Sequence, residues 1–181
     1  GAVGGVLAYP EVAALPVAPS LGVIATAPED VAPALLALAA RGTFAAVCLT
    51  PTPGLLAAGR AAGVRVLGPS SFGIIVPALG LNASTAHLQP QPGKMSLISQ
   101  SAALCRAVLD WAEPNGVGFS HVIGIGGSAD IGFGLALDWL SRDPGTGAIL
   151  LDIRGIKNRR AFMSAARAAA RLRPVVAIHA G

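Results

Sequence analysis

Ser99 and Ser101 stand one residue apart in LISQSAALCRAVLDWA (97–112), where a strand-like run turns into a helix-like one. Two kinds of chemistry fit that placement. Ser101 can be an ordinary N-cap, its hydroxyl accepting from the first unpaired N–H groups of the helix. The same helix start can instead receive a phosphate, because those N–H groups and the helix dipole favour an anion. Other chemistry-bearing residues are sparse. Cys48 and Cys105 sit in apolar runs without CxxC spacing and read as buried thiols of a reducing, cytoplasmic protein, not as metal ligands or a disulfide. His87 and His121 read as surface or structural residues and His179 as part of a strand. No histidine has a carboxylate and nucleophile arranged beside it as a triad. Neither a catalytic residue nor a metal site is expected.

The elements that must position this turn follow from composition and periodicity. The chain has 181 residues, 53% hydrophobic and 12% charged, enough for one large α/β domain or two small ones and too apolar for disorder. Apolar stretches such as VAPALLALAA are interrupted by proline and too short to span a bilayer, so no membrane association is expected. No signal peptide is visible, and both ends read as cut. The net charge is +4, and seven of the 13 basic residues fall in 154–173, a stretch without an acid. On a helix there, Arg160, Arg167 and Arg171 share one face, with Phe162, Ala165, Ala169 and Leu172 opposite. That face reads as a solvated stripe or a surface for an acidic domain. No aromatic interleaving supports nucleic-acid binding.

Strand-like runs at 21–26, 45–49, 64–68, 95–99, 121–127, 147–155 and 173–181 alternate with helical patterns, the mark of parallel sheets wrapped by helices. Thr26 and Glu29 suggest a capping box for a helix reaching Ala40. The segment 68–77 reads as a turn-rich crossing. The expected architecture is α/β, two tandem open parallel-sheet units: a first unit over 1–77, a linker over 78–94 and a second unit over 95–181. Ligands of such sheets bind beyond the carboxyl ends of strands, which singles out the loops at 26–28, 50–54, 68–73, 99–101, 124–131 and 152–158.

Several motifs together resemble the NDP-forming acyl-CoA synthetases and the succinyl-CoA synthetase alpha subunit. VLGPSSFGII resembles their GPNxxGxI crossing, and PGKMSLISQSAALCRAVLDWA their PGxxxxxSQSG segment. GFSHVIGIGGSADI is similar to their glycine-rich loop. DPGTGAILLDIRGIKNRRAFMSAAR resembles DPxTxxILLYLEGIKDxRxFxxAAR, and PVVAIHAG the strand before their phosphohistidine loop. The resemblance implies a truncated Rossmann-like CoA-binding domain followed by a flavodoxin-like succinyl-CoA-synthetase-like domain. It implies an anion cradle at Ser99, Ser101 and the N–H groups of Ala102 and Ala103, and CoA-lining residues at Thr26, Pro28, Thr50 and Thr52. Three positions depart from the family: its asparagine is Ser70, its histidine-orienting glutamate is Arg154, and its glycine after Ser-Gln-Ser is Ala102. Its phosphohistidine motif would lie after Gly181.

Those departures make the leading expectation a catalytically degenerate, acyl-CoA-sensing region of a GNAT-fused protein lysine acetyltransferase. It would bind CoA or acetyl-CoA weakly if at all, and its partners would be acyl-CoA, a GNAT domain and a protein substrate such as an acyl-CoA synthetase. The alternative is a fragment of an ADP-forming acyl-CoA synthetase, with ATP or ADP as cofactor and an ATP-grasp domain as partner. A non-catalytic scaffold is the third reading.

Overall fold

The computed structural model describes residues 1–179; Ala180 and Gly181, expected to finish the last strand, lie outside them. The chain opens with a small antiparallel hairpin of β1 (Ala2–Val3) and β2 (Val6–Leu7). A three-stranded parallel sheet follows in the order β3 (Leu21–Ile24), β4 (Ala45–Cys48), β5 (Arg65–Leu67). Its connections are α1 (Val31–Ala40) and α2 (Leu55–Ala62). Their apolar residues, led by Val31, Leu35, Leu38 and Leu55, form a core with Ile24, Ala46, Cys48 and Val66.

The expected capping box does not form. Pro28 presets the helical φ one residue early, so the chain enters through a 3-10 turn, Pro28–Asp30, whose N-cap is Ala27 and has no side-chain cap. The Thr26 hydroxyl instead lies 3.3 Å from the Ala27 carbonyl.

The second sheet departs from the expected boundaries. Segment 68–77 is not merely a crossing: β6 (Gly73–Val76) lies inside it, and the supposed linker holds β7 (Leu81–Ser84) and the start of β8 (Pro92–Ser99). GIIV is a short continuous apolar run, and three of its residues, Gly73, Ile75 and Val76, are buried. With β9 (Phe119–Gly124), β10 (Ala148–Ile153) and β11 (Val175–His179), these make a six-stranded sheet, order β11-β10-β8-β9-β6-β7. Four strands run parallel, and β6 and β7 add an antiparallel edge.

One face is covered by α3 (Ala102–Ala112), which packs Cys105, Leu109 and Ala112 on Leu97, Phe119 and Val122. On the other face lie α4 (Phe133–Arg142) and α5 (Arg159–Leu172), with Leu137, Leu140, Ala165 and Ala169 over Ile98, Ile149 and Leu151. Val47 and Leu67 of the first sheet belong to that same core, so the two units share apolar packing.

Leu172, on the face opposite the arginines, is 59% exposed, and Trp111 near the end of α3 is 60% exposed. Arg160, Arg167 and Arg171 are exposed as expected and make no ion pair among the described residues. No helix among the described residues is long and apolar enough to cross a membrane.

Candidate functional site

The strand register sets the site. Ser99 pairs with Asp152 on one side and Gly124 on the other, so the carboxyl ends of β8, β9 and β10 form one row. Both thiols are buried, and that of Cys105 lies against Ser99 in this row. Burial pushes the Cys105 thiol up to about 12, which keeps it protonated and unreactive.

Ser101 is the N-cap of α3, its hydroxyl accepting from the Leu104 N–H at 3.2 Å. It also accepts from the Arg154 guanidinium at 2.7 Å, a contact across 53 residues of sequence. The N–H groups of Ala102 and Ala103 find no acceptor among the described residues. A helix start with two unpaired N–H groups, no acid in its first turn and a guanidinium beside it is electropositive.

Ser99 is placed differently from expectation. It is fully buried; its hydroxyl donates to the Asp152 carboxylate at 2.6 Å and accepts the Ser101 N–H at 2.9 Å. It therefore holds the turn in shape instead of presenting its hydroxyl to a ligand. Asp152 itself is 4% exposed.

Gln100 was not among the expected site residues. Its Oε1 accepts from the Arg154 N–H at 2.8 Å and the Gly155 N–H at 3.0 Å, and its Nε2 donates to the Gly155 carbonyl at 3.0 Å. Only its place between two serines at the end of a parallel strand marked it.

The first sheet presents its own candidates. The Thr50 hydroxyl donates to the Thr26 carbonyl at 2.7 Å, and the Thr52 hydroxyl to the Thr50 carbonyl at 3.2 Å. Thr52 is buried, with Cys48 Sγ 3.5 Å from its hydroxyl, so it faces the interior. Pro28 begins the 3-10 turn, whose first turn carries Glu29 and Asp30.

A rim of hydrogen bonds runs from these threonines to the loop between β10 and α5. Ser70, in the left-handed region at φ 52, donates its N–H to the Thr50 carbonyl at 3.2 Å. Gly127 N–H reaches the Pro69 carbonyl at 2.7 Å, and Lys157 Nζ the Gly127 carbonyl at 2.6 Å. Gly126 sits at φ +50 with its Cα against the Pro69 and Ser70 carbonyls, leaving no room for a Cβ. Near this rim Asp130 grips Arg65 through two bonds, at 2.7 and 3.0 Å, and accepts the Val66 N–H at 3.1 Å. Burial alone would raise the Asp130 pKa, but these donors outweigh it and hold the carboxyl below its usual range.

The histidines lie elsewhere. His121, at the amino end of β9, is buried with its ring edge-on to Trp139, centroids 4.8 Å apart. Burial lowers its pKa, partly opposed by the Asp143 carboxylate 3.7 Å away. His87 pairs with Asp110 on the surface, at 2.8 Å, and His179 ends β11. No group of three or more metal-ligating side chains occurs among the described residues.

Comparison with known proteins gives this geometry a context. Residues 92–181 match the model of the succinyl-CoA ligase like flavodoxin domain. The chain is 38% identical over 119 residues to acetate–CoA ligase [ADP-forming] I of Archaeoglobus fulgidus, covering 66% of this chain and 17% of that protein. It is 36% identical over 127 residues to the alpha subunit of acetate–CoA ligase [ADP-forming] I of Pyrococcus furiosus, covering 70% and 28%. The chain thus spans less than a third of these curated relatives. Among solved structures, the dinucleotide forming acetyl-coenzyme A synthetase 1 of Ca. Korarchaeum cryptofilum, in complex with phosphate and ADP, superposes with a TM-score of 0.92. That pair is 28% identical and covers 99% of this chain and 41% of the other. The architecture is accordingly α/β with parallel sheets, a Rossmann-like unit followed by a flavodoxin-like one. Residues 92–181 belong to the succinyl-CoA ligase like flavodoxin domain family, and the chain is a homologue of ADP-forming acetate–CoA ligases.

Proposed function

We propose that this chain is part of an ADP-forming acyl-CoA synthetase, the reaction class that converts acyl-CoA, ADP and phosphate into free acid, CoA and ATP. The first unit, ending near Leu67, would be a partial CoA-binding domain. The flavodoxin-like unit, residues 92–181, would hold the phosphoryl group. The observation that carries this reading is the convergence on the α3 N-terminus of the Ser101 hydroxyl, the unpaired Ala102 and Ala103 N–H groups and the Arg154 guanidinium. Backbone N–H groups at a helix start suit phosphoryl oxygens, and a guanidinium adds a charge-assisted donor. Thr26, Pro28, Thr50 and Thr52 would contribute mainly backbone edges to CoA, since the threonine hydroxyls described above already bond to protein. An ATP-grasp subunit or domain would supply the nucleotide site. The two buried thiols support a reducing, cytoplasmic setting.

A second reading keeps the chain as the acyl-CoA-sensing region of a lysine acetyltransferase with a GNAT domain and a protein substrate. It is favoured by Arg154, a cation where the resembling ligases carry a carboxylate, because a guanidinium cannot accept a histidine N–H. It ranks second because the relatives named above are ligases. Calorimetric titration of this chain with inorganic phosphate tests the leading reading. Saturable binding that sulfate competes away is expected, and no heat at millimolar phosphate would remove the phosphoryl site.

A further inference from the structure

We propose that Gln100 is a positioning residue for this anion site: its carboxamide sets Arg154 over the start of α3 and so fits the site to a free tetrahedral dianion. The assignment rests on the reading of the α3 N-terminus as a phosphoryl site. β10 ends at Ile153, so no ladder reaches the polar groups of the next turn. Gln100 serves three of them, the Arg154 N–H, the Gly155 N–H and the Gly155 carbonyl. Held there, the Arg154 side chain extends to Ser101 Oγ.

That contact has a consequence for the hydroxyl. A serine oxygen has two lone pairs and one proton. Both lone pairs are taken, by Leu104 N–H and by Arg154, which turns the proton away from both donors. Ser101 is 6% exposed, and its proton meets no acceptor among the described residues. The groups turned to a ligand are then all donors: this hydroxyl, two backbone N–H groups and the remaining guanidinium N–H groups. Such a set favours a ligand that mainly accepts, as inorganic phosphate or sulfate does.

The experiment is a double-mutant cycle on this chain, with inorganic phosphate titrated by calorimetry into wild type, Gln100→Ala, Arg154→Ala and the double variant. Gln100→Ala should weaken phosphate about tenfold, the loss of roughly one to two hydrogen bonds' net effect. The double variant should bind no more weakly than Arg154→Ala alone, because Gln100 acts through Arg154. Amide exchange at Arg154 and Gly155 should quicken in Gln100→Ala while Cys105 and Leu109 in α3 stay protected. Unchanged phosphate affinity in Gln100→Ala, or losses that add in the double variant, would overturn the assignment and leave the phosphoryl site standing. Failure of the wild-type chain to bind phosphate would overturn both.

Discussion

At the carboxyl ends of β3 and β4, the Thr26, Thr50 and Thr52 hydroxyls all lie against backbone carbonyls, and the adjoining helical turn carries Glu29 and Asp30. At the carboxyl ends of β8 and β10, the first turn of α3 carries no acid, Arg154 stands beside it, and the Ala102 and Ala103 N–H groups lack acceptors among the described residues. Both places follow one plan, parallel strand to turn to helix. They differ in the charge beside the helix start. Beyond β3, Glu29 and Asp30 repel an anion. Beyond β8, a guanidinium stands at an acid-free helix start, which is what an anion site requires. Location at a strand end is thus insufficient to make a site.

The largest test converts the second edge into the first. Ser101→Asp keeps a capping oxygen for Leu104 and gives Arg154 an internal carboxylate, so the fold should persist. Phosphate affinity should fall about a hundredfold, from a lost donor and an added negative charge. Wild-type-like titration by Ser101→Asp would show that this helix start does not bind phosphate.

Next in size is the junction between the two units. Asp130→Asn weakens the Arg65 fork and should cost about 1–2 kcal/mol in urea unfolding, a modest figure because Arg65 is 56% exposed and screened. The Asp130 pKa is depressed in the folded state, so its contribution is complete above the unfolded value of about 3.9 and is lost as pH falls through the folded value. The variant should therefore show a shallower acid limb. Identical acid unfolding of variant and wild type would mean the fork is idle.

Thr50→Val sharpens the comparison from the other side. Losing the bond to Thr26 should cost about 1 kcal/mol of stability and leave phosphate affinity unchanged. A weakened phosphate titration would show that the two edges are coupled along the rim.

The smallest effect concerns the amino end of the second sheet. His121 is held neutral by burial, so stability should decline as pH drops below about 6.5, with a slope under the ~1.4 kcal/mol per pH unit of one proton. His121→Phe keeps a ring against Trp139 and should remove that slope between pH 7.5 and 5.5. A slope that survives the substitution would assign it to another group.

Much of the architecture was legible because burial imposes periodicity. The helix from Ser101 with its cap, the strands at 95–99 and 147–155 and the buried faces of Cys48 and Cys105 all follow from local pattern. The strands β6 and β7 were not legible as sheet members: GIIV sits among Pro, Gly and Ser, whose turn chemistry masks a short antiparallel edge. Trp111 and Leu172 show the limit of helical periodicity, which assigns a face without saying whether anything covers it.

The sequence by itself determined the parallel α/β plan and the serine-capped helix start, because these depend on residues near one another in the chain. Only the tertiary structure decided which groups meet there. Ser99 turned inward to Asp152, Arg154 came to Ser101, and Gln100 took hold of the turn that carries Arg154. Those contacts join residues more than fifty positions apart, and the register of β8 against β10 brings them together. Local preference cannot encode that register; it comes from burying the faces of both strands at once.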